Sequence, residues 1–374
     1  MDGMDRRGLT LGLVTLLMLA GCGDDDRDDD GPTRDSGPVE SDAFTPPDAF
    51  AGDAGRGCAC APGLHQDLVF LLSDDGELWS FDPRSNEFAF VAGPVCSGVM
   101  PFSMAVDEQG VAWILGIDSL SFELIDVNDP GLCEPSPYLR RNPDFGLFGT
   151  SFVAESETNP CSDLYVQTYS GDGSFDEGED LGRLGVIDPI TGDLSDIGSL
   201  DYDGGELTGT GDGRLYAFTG VDPVKIVELD RATGAELDVF PLEGLDKTNA
   251  SAVAFYGGSI YIFTEAVDEG CEPCLQAECS SELAACRADA VCADHLQCVL
   301  ETAMMTDACG GFLTEEVRSC VIACEETCAV SPRGRESKVI RLDLETRLFE
   351  TVVPTGPIRV VGAASSPCVP VTLI

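Results

Sequence analysis

The stretch IDPITGDL, Ile187 to Leu194, decides the fold, because variants of it occur four more times along the chain. They are FDPRSNEF from Phe81 to Phe88, LDRATGAEL from Leu229 to Leu237, LDLETRLF from Leu342 to Phe349, and a looser IDVNDP from Ile125 to Pro130. Each copy is an apolar residue, an aspartate, a turn and a second apolar run. An aspartate there can accept the backbone amide two residues on, while Gly or a polar residue takes the left-handed position before the next strand. The pattern is a β-hairpin, and five copies of it mean a repeat.

Around the turns lie alternating, β-branched and aromatic runs of four to eight residues, such as LVFLLSDDGELWSFDP and RLYAFTGVDPVKIVELDR. A further strand precedes each unit in PFSMAVDEQG, FGTSFVAES, GELTGTGDG and ASAVAFYGG, which makes four strands per unit. The turn aspartates Asp82, Asp126, Asp188, Asp230 and Asp343 are unevenly spaced until two insertions are removed. These are an acidic loop, SGDGSFDEGED, and a cysteine-rich block. Without them the period is about 40–50 residues, that of a four-stranded propeller blade. The first unit has only three strands, and the C-terminal IRVVGAASSPCVP can supply its fourth, closing the ring. The expected fold is therefore mainly β: a five-bladed β-propeller with a small disulfide-rich helical insertion in the fifth blade. An open β-sandwich is the alternative.

Through its DPITG and DRATG turns and its DGRLY strand, the chain resembles bacterial β-propeller lipoproteins with blades of the YVTN or NHL type, carrying a cysteine-rich helical insert. Ser73 to Trp79, SDDGELW, comes near the Asp box of sialidases but is one residue short and occurs once, so it does not support sialidase chemistry.

Arg6 and Arg7 precede an apolar run, LTLGLVTLLMLA, that is too short to span a bilayer of roughly 30 Å and reads as a signal-peptide core. It ends in Leu19-Ala20-Gly21-Cys22, which resembles the lipobox of bacterial lipoproteins. The resemblance implies acylation of Cys22, cleavage before it, and a location in the bacterial cell envelope. Gly23 favours the outer membrane over the inner. The segment after Cys22 is rich in Asp, Gly, Pro and Ser and cannot form a core, so it reads as a disordered acidic tether. The resulting map is a signal peptide at 1–21, a tether at 22–61, propeller at 62–270, insert at 271–336, and the last strands and ring closure at 337–374.

Sixty-seven acids against 21 bases give a formal net charge of -46. Such a surface repels phosphate backbones, which argues against a nucleic-acid partner. Removing Cys22 from the 17 cysteines leaves an even number, which in an exported chain points to disulfides. Cys58, Cys60, Cys96, Cys133, Cys161 and Cys368 lie outside the insert, and a bond from Cys58 or Cys60 to Cys368 would staple the closure. The other ten are Cys271, Cys274, Cys279, Cys286, Cys292, Cys298, Cys309, Cys320, Cys324 and Cys328, separated by helix-forming residues. They read as two or three short cross-linked helices. Zinc fits less well, because Cys271 and Cys274 form a single C-x2-C pair with His295 the sole nearby histidine. A redox dithiol fits less well too, because no βαβ unit surrounds it.

Two histidines, His65 and His295, leave little room for histidine catalysis. The loop holding Asp172, Asp176 and Glu179 spaces its oxygens loosely like a calcium loop but lacks the EF-hand spacing. No P-loop, dinucleotide fingerprint or nucleophile elbow is present in the sequence. No cofactor is expected apart from calcium at that loop. The sequence favours a binding protein with an unknown protein or glycan ligand and a membrane attachment through the N-terminal lipid. The alternative is a propeller hydrolase or lyase using carboxylates, with or without calcium.

Overall fold

The structure, a computed structural model, describes residues 58–169, 179–202, 204–219, 223–245, 251–265, 276–277, 279–289, 291–293, 296 and 336–372. Twenty strands form five four-stranded antiparallel sheets. Blade 1 holds β1 (Val69–Ser73), β2 (Leu78–Asp82) and β3 (Glu87–Ala92), with β20 (Val360–Ala364) as its inner strand. Blade 2 is β4 (Pro101–Val106), β5 (Val111–Gly116), β6 (Phe122–Asp126) and a two-residue β7 (Glu134–Pro135). Blade 3 is β8 (Leu147–Ser156), β9 (Asn159–Tyr169), β10 (Glu179–Ile187) and β11 (Leu194–Tyr202). Blade 4 is β12 (Glu206–Gly209), β13 (Leu215–Thr219), β14 (Lys225–Leu229) and β15 (Glu236–Pro241). Blade 5 is β16 (Ser251–Tyr256), β17 (Ser259–Glu265), β18 (Ser337–Asp343) and β19 (Phe349–Val353). The fold is the expected five-bladed propeller. The one helix bounded among the described residues, α1 (Ser280–Ala288), lies in the segment between β17 and β18, and Cys286 is bonded to Cys292.

The recurrent turn forms for the chemical reason read from the sequence. Asp82, Asp126, Asp188 and Asp230 each accept the backbone amide two residues on at 2.8–2.9 Å, and Asp343 accepts that of Thr346, three on, at 2.7 Å. Asn86, Gly192, Gly234 and Arg347 then take positive φ, turning the chain into the next strand. Glycine holds that conformation without a Cβ clash, whereas Arg347 is a β-carbon-bearing residue kept there by the turn.

The strands pack through wedges between blades. Trp113, Phe122, Tyr138, Phe145, Phe148 and Phe152 fill the space between blades 2 and 3. Trp113 and Phe122 meet edge to face at 5.6 Å between centroids. Phe81 of blade 1 meets Tyr261 and Phe263 of blade 5 at 5.7 and 5.5 Å, so the joint between first and last blades is as aromatic as any other. Ring closure uses the C-terminus: β20 pairs antiparallel with β1, Phe70 opposite Ala364 and Leu72 opposite Gly362. No strand edge is left open at that joint.

Candidate functional site

The inner strands β20, β4, β8, β12 and β16 neighbour one another in a closed ring around the axis. Hydroxyls join each neighbouring pair. Ser103 Oγ and Thr150 Oγ1 (3.3 Å) link β4 to β8, and Gly209 N–H donates to Ser151 Oγ (2.7 Å) between β12 and β8. Phe255 N–H donates to Thr208 Oγ1 (2.8 Å), and Ser365 Oγ donates to the Phe255 carbonyl (2.6 Å). Ser366 Oγ donates to the Asp107 carbonyl (2.9 Å), completing the circuit. Besides a backbone bond from Ala154 N–H to the Thr210 carbonyl (3.3 Å), short polar side chains satisfy buried backbone groups between these strands.

Because each blade is an up-and-down antiparallel sheet, its connections fall on two faces. The five aspartate turns lie on one, here called the turn face. The links between blades and between the second and third strands lie on the other. Both departures from the regular period leave from this second face: the acidic loop between β9 and β10, and the cysteine-rich segment between β17 and β18. It is called the insertion face below.

The turn face is closed over the axis. Cys58 is bonded to Cys161 at the start of β9, and Cys60 to Cys368 just after β20. Between them the chain runs across the β4–β5 turn, where Ala61 N–H donates to the Glu108 carbonyl and Gln109 Nε2 donates to the Ala59 carbonyl. Leu64 follows, 7% exposed, packed over Gly110, where any β-carbon would come within 2.9 Å of Leu64 Cδ1. Ser162 Oγ donates to the Glu108 carboxylate beneath this strap. The C-terminal tail covers the rest, with Gly257 N–H donating to the Pro370 carbonyl and Val369 3% exposed.

At the insertion-face end the axis is lined by small residues and one acid. Ser103, Gly149, Glu206, Ala252 and Gly362 occupy one register level of the five inner strands, opposite Leu115, Gln167, Phe218, Phe263 and Leu72 of the second strands. Glu206 of blade 4 accepts from Ser103 Oγ of blade 2 at 3.1 Å, bringing two non-neighbouring blades together. Ser103 is 0%, Thr150 1% and Glu206 6% exposed. A carboxylate and two hydroxyls here can accept and relay hydrogen bonds, and they offer a cationic or hydroxyl-bearing group a point of attachment. They are not the pair of carboxylates that glycoside-cleaving acid–base chemistry requires. Among the described residues no group of three or more His, Cys, Asp or Glu side chains could hold a metal ion.

The root of the cysteine-rich segment is firmly built. Glu265, where the chain leaves β17, faces Ser337, where it re-enters β18. Glu265 Oε1 is paired with Arg359 Nη2 at 2.8 Å, with side-chain exposures of 6% and 18%. Ser337 Oγ accepts Val360 N–H, and Ser337 N–H donates to the Ile358 carbonyl. Asp74 sits beside this pair; burial raises its carboxyl above the ordinary range, opposed by the Arg359 charge. Its backbone N–H donates to the Arg359 carbonyl.

Cys58, Cys60, Cys96, Cys133, Cys161 and Cys368 all pair, with Cys96 bonded to Cys133 in addition to the two strap bonds. Within the insert Cys279 is also disulfide-bonded. Cys271, Cys274, Cys298, Cys309, Cys320, Cys324 and Cys328 lie outside the described residues, as do Cys22, Asp172, Asp176, the Glu179 side chain and His295. His65 is exposed on the strap, its Nδ1 4.0 Å from Asp67. Among the described residues no helix is long and apolar enough to cross a membrane. Sequence reading missed Glu206 and Gln167. The signal that could have found Gln167 is the mismatch at equivalent positions in LYVQT (Leu164–Thr168), LYAFT (Leu215–Thr219) and IYIFT (Ile260–Thr264).

Fold and site together define a disulfide-held five-bladed propeller with segments 58–66 and 366–370 laid over one face and insertions leaving from the other. No family model matches the chain, and no curated protein does. Solved structures similar to it include a nidogen/laminin complex, at 12% identity and a TM-score of 0.39 over 79% of this chain and 97% of the other. Hydrazine synthase of Kuenenia stuttgartiensis is 15% identical with a TM-score of 0.30, over 52% of this chain and 55% of the other. Virginiamycin B lyase from Staphylococcus aureus is 12% identical with a TM-score of 0.30, over 51% and 56% respectively.

Proposed function

We propose that this chain is an exported, lipid-anchored binding protein of a bacterial cell envelope, and that it meets a protein or glycan ligand on the insertion face. The observation that carries the reading is asymmetry. A ring of otherwise regular blades departs from its period twice, both times on the same face, while the opposite face is covered by the disulfide-held segments around Cys58, Cys60 and Cys368. Binding residues concentrate on loops held by a rigid scaffold, and here both insertions leave the scaffold on the face opposite the disulfide-held one. The small-residue lining of the axis, with Glu206 as its acid, suits attachment better than two-carboxylate chemistry.

The lipobox-like LAGC at Leu19–Cys22 supports anchoring through Cys22, with the outer membrane favoured by Gly23. Mass spectrometry of the mature N-terminus tests the anchor: a triacylated or diacylated Cys22 is expected, and an unmodified Cys22 overturns it. Deleting residues 271–336 behind a short linker tests the insert. The expected variant keeps its strand circular dichroism and cooperative melting but loses ligand capture, and unimpaired capture by a folded variant removes the insert from recognition. Glu206 is the observation that would favour a carboxylate hydrolase or lyase instead; Glu206→Gln abolishing turnover of a found substrate would establish that reading.

A further inference from the structure

The five blades repeat one another closely enough to be compared position by position. At one level of the second strand they carry Leu72, Leu115, Gln167, Phe218 and Phe263, each opposite a residue of the inner strand. Four are large and apolar, as a wedge between blades requires. The fifth is an amide, and Gln167 is 0% exposed. It shares its face of β9 with Tyr165, which belongs to the apolar cluster between blades 3 and 4. Across the wedge it lies against glycine: a β-carbon on Gly205 would stand 2.4 Å from Gln167 Nε2.

Among the described residues neither Nε2 nor Oε1 of Gln167 has a hydrogen-bond partner. Two more groups of the same wedge share that condition. Thr219, 0% exposed, shares its face of β13 with Leu215 and Ala217 of that cluster, and its Oγ1 is unpartnered. Tyr202, 3% exposed and in the same cluster at the insertion-face end of β11, has an unpartnered hydroxyl. Lys225, directly opposite Thr219, reaches over the Tyr202 ring at 5.0 Å, which puts both groups at the same end of the wedge. Burial pushes the Tyr202 phenol upward, as do Glu236 and Asp201, so it remains a neutral O–H donor.

Four buried polar atoms at the same end of one wedge, where the equivalent Phe218 and Phe263 are apolar, are too many to be left dry. Each would carry the desolvation penalty of an unmade hydrogen bond. A buried water is expected where polar groups on several sides offer two to four bonds. An amide supplies both a donor and an acceptor, and the two hydroxyls supply the rest. We infer that the wedge between blades 3 and 4 is an internal polar site that holds ordered water bridging Gln167 to Tyr202 and Thr219.

The sign of a substitution separates this from a dry wedge. If water bridges the groups, Gln167→Leu strands the two hydroxyls, and Tm should fall by roughly 2–6 °C for a domain of this size. Tyr202→Phe should lower Tm as well, and the double variant should lose less than the sum, since both act on the same water. If the amide is merely orphaned, Gln167→Leu removes an unsatisfied group and Tm rises; that result overturns the inference. A high-resolution crystal structure of the unaltered protein gives an independent reading. Water-sized density within hydrogen-bond distance of the Gln167 amide and the Tyr202 hydroxyl is expected. A dry wedge, or density of a larger molecule, overturns the assignment.

Discussion

Removing the bond between Cys60 and Cys368 should cost the propeller several kilocalories per mole while leaving its folded form intact. The two residues are 308 apart in sequence, so the bond closes most of the described chain into one loop. In the chain-entropy model, a loop of that length gives about 5–6 kcal/mol at 25 °C by restricting the unfolded chain. The Cys58–Cys161 bond shortens the effective loop to roughly 210 residues, but the dependence is logarithmic and the figure falls only to about 5 kcal/mol. Observed values run below such estimates, commonly 2–4 kcal/mol. At about 2.1 cal/mol/K per residue for some 300 residues, 2–5 kcal/mol corresponds to a drop in Tm of roughly 3–8 °C. The perturbation is Cys60→Ala with Cys368→Ala, so that no free thiol is left. The assay is differential scanning calorimetry alongside urea unfolding of both proteins under oxidising conditions. Because the effect sits in the unfolded state, the m-value should rise as the unfolded chain expands, with strand circular dichroism unchanged. A Tm within 1 °C of the parent, with an unchanged m-value, would refute the reasoning.

Three other outcomes follow from the inner ring and the turns. Thr208→Val keeps the side-chain volume but leaves the buried Phe255 N–H without its acceptor, which should cost about 1–3 kcal/mol by urea denaturation. Arg359→Met and Glu265→Gln each break a largely buried pair and should cost about 3 kcal/mol or more singly, with a double-mutant cycle showing strong coupling. The Asp343 carboxyl is held below the ordinary range by the amide and hydroxyl of Thr346. A lowered folded-state pKa contributes stability that is present above the unfolded value, near 3.8, and is lost as pH falls through the folded value. The destabilisation in Asp343→Ala, measured as a Tm difference from the parent, should therefore be largest near neutral pH and shrink on acidification below about pH 4.

Much of the ring was legible because its turns are local chemistry. An aspartate four residues before a left-handed position folds the chain by bonds within six residues, so the sequence carries the whole cause at Asp82, Asp188 and Asp230. Closure was legible from a count of strands, three at the start and one spare in Val360–Ala364. The strap was only half legible: Cys58, Cys60 and Cys368 announced a staple, but the sequence could not choose between the two partners. Nor could it reveal that residues 58–66 cross the axis, since their packing depends on Glu108, Gln109 and Gly110 from another blade. Tyr138 and Phe145 were missed because they pack from an irregular link with no periodicity. Glu206 and Gln167 were missed for a different reason. In an ordinary strand, polar alternation means solvent, whereas a propeller's inner strand presents its polar residues to the axis and a wedge can bury an amide between blades. The readings for Asp172, Asp176, Glu179 and most of the insert concern residues or side chains outside those described.

The central claim is that recognition belongs to the insertion face, and site-specific photo-crosslinking tests it most directly. A photoreactive residue would replace Met100 or Asp118 on the insertion face, and Ile190 or Leu348 on the turn face, all of them exposed. In cells that make the protein the account predicts a discrete ligand adduct from Met100 and Asp118, and none from Ile190 and Leu348. The same adduct from the turn-face positions alone would contradict it.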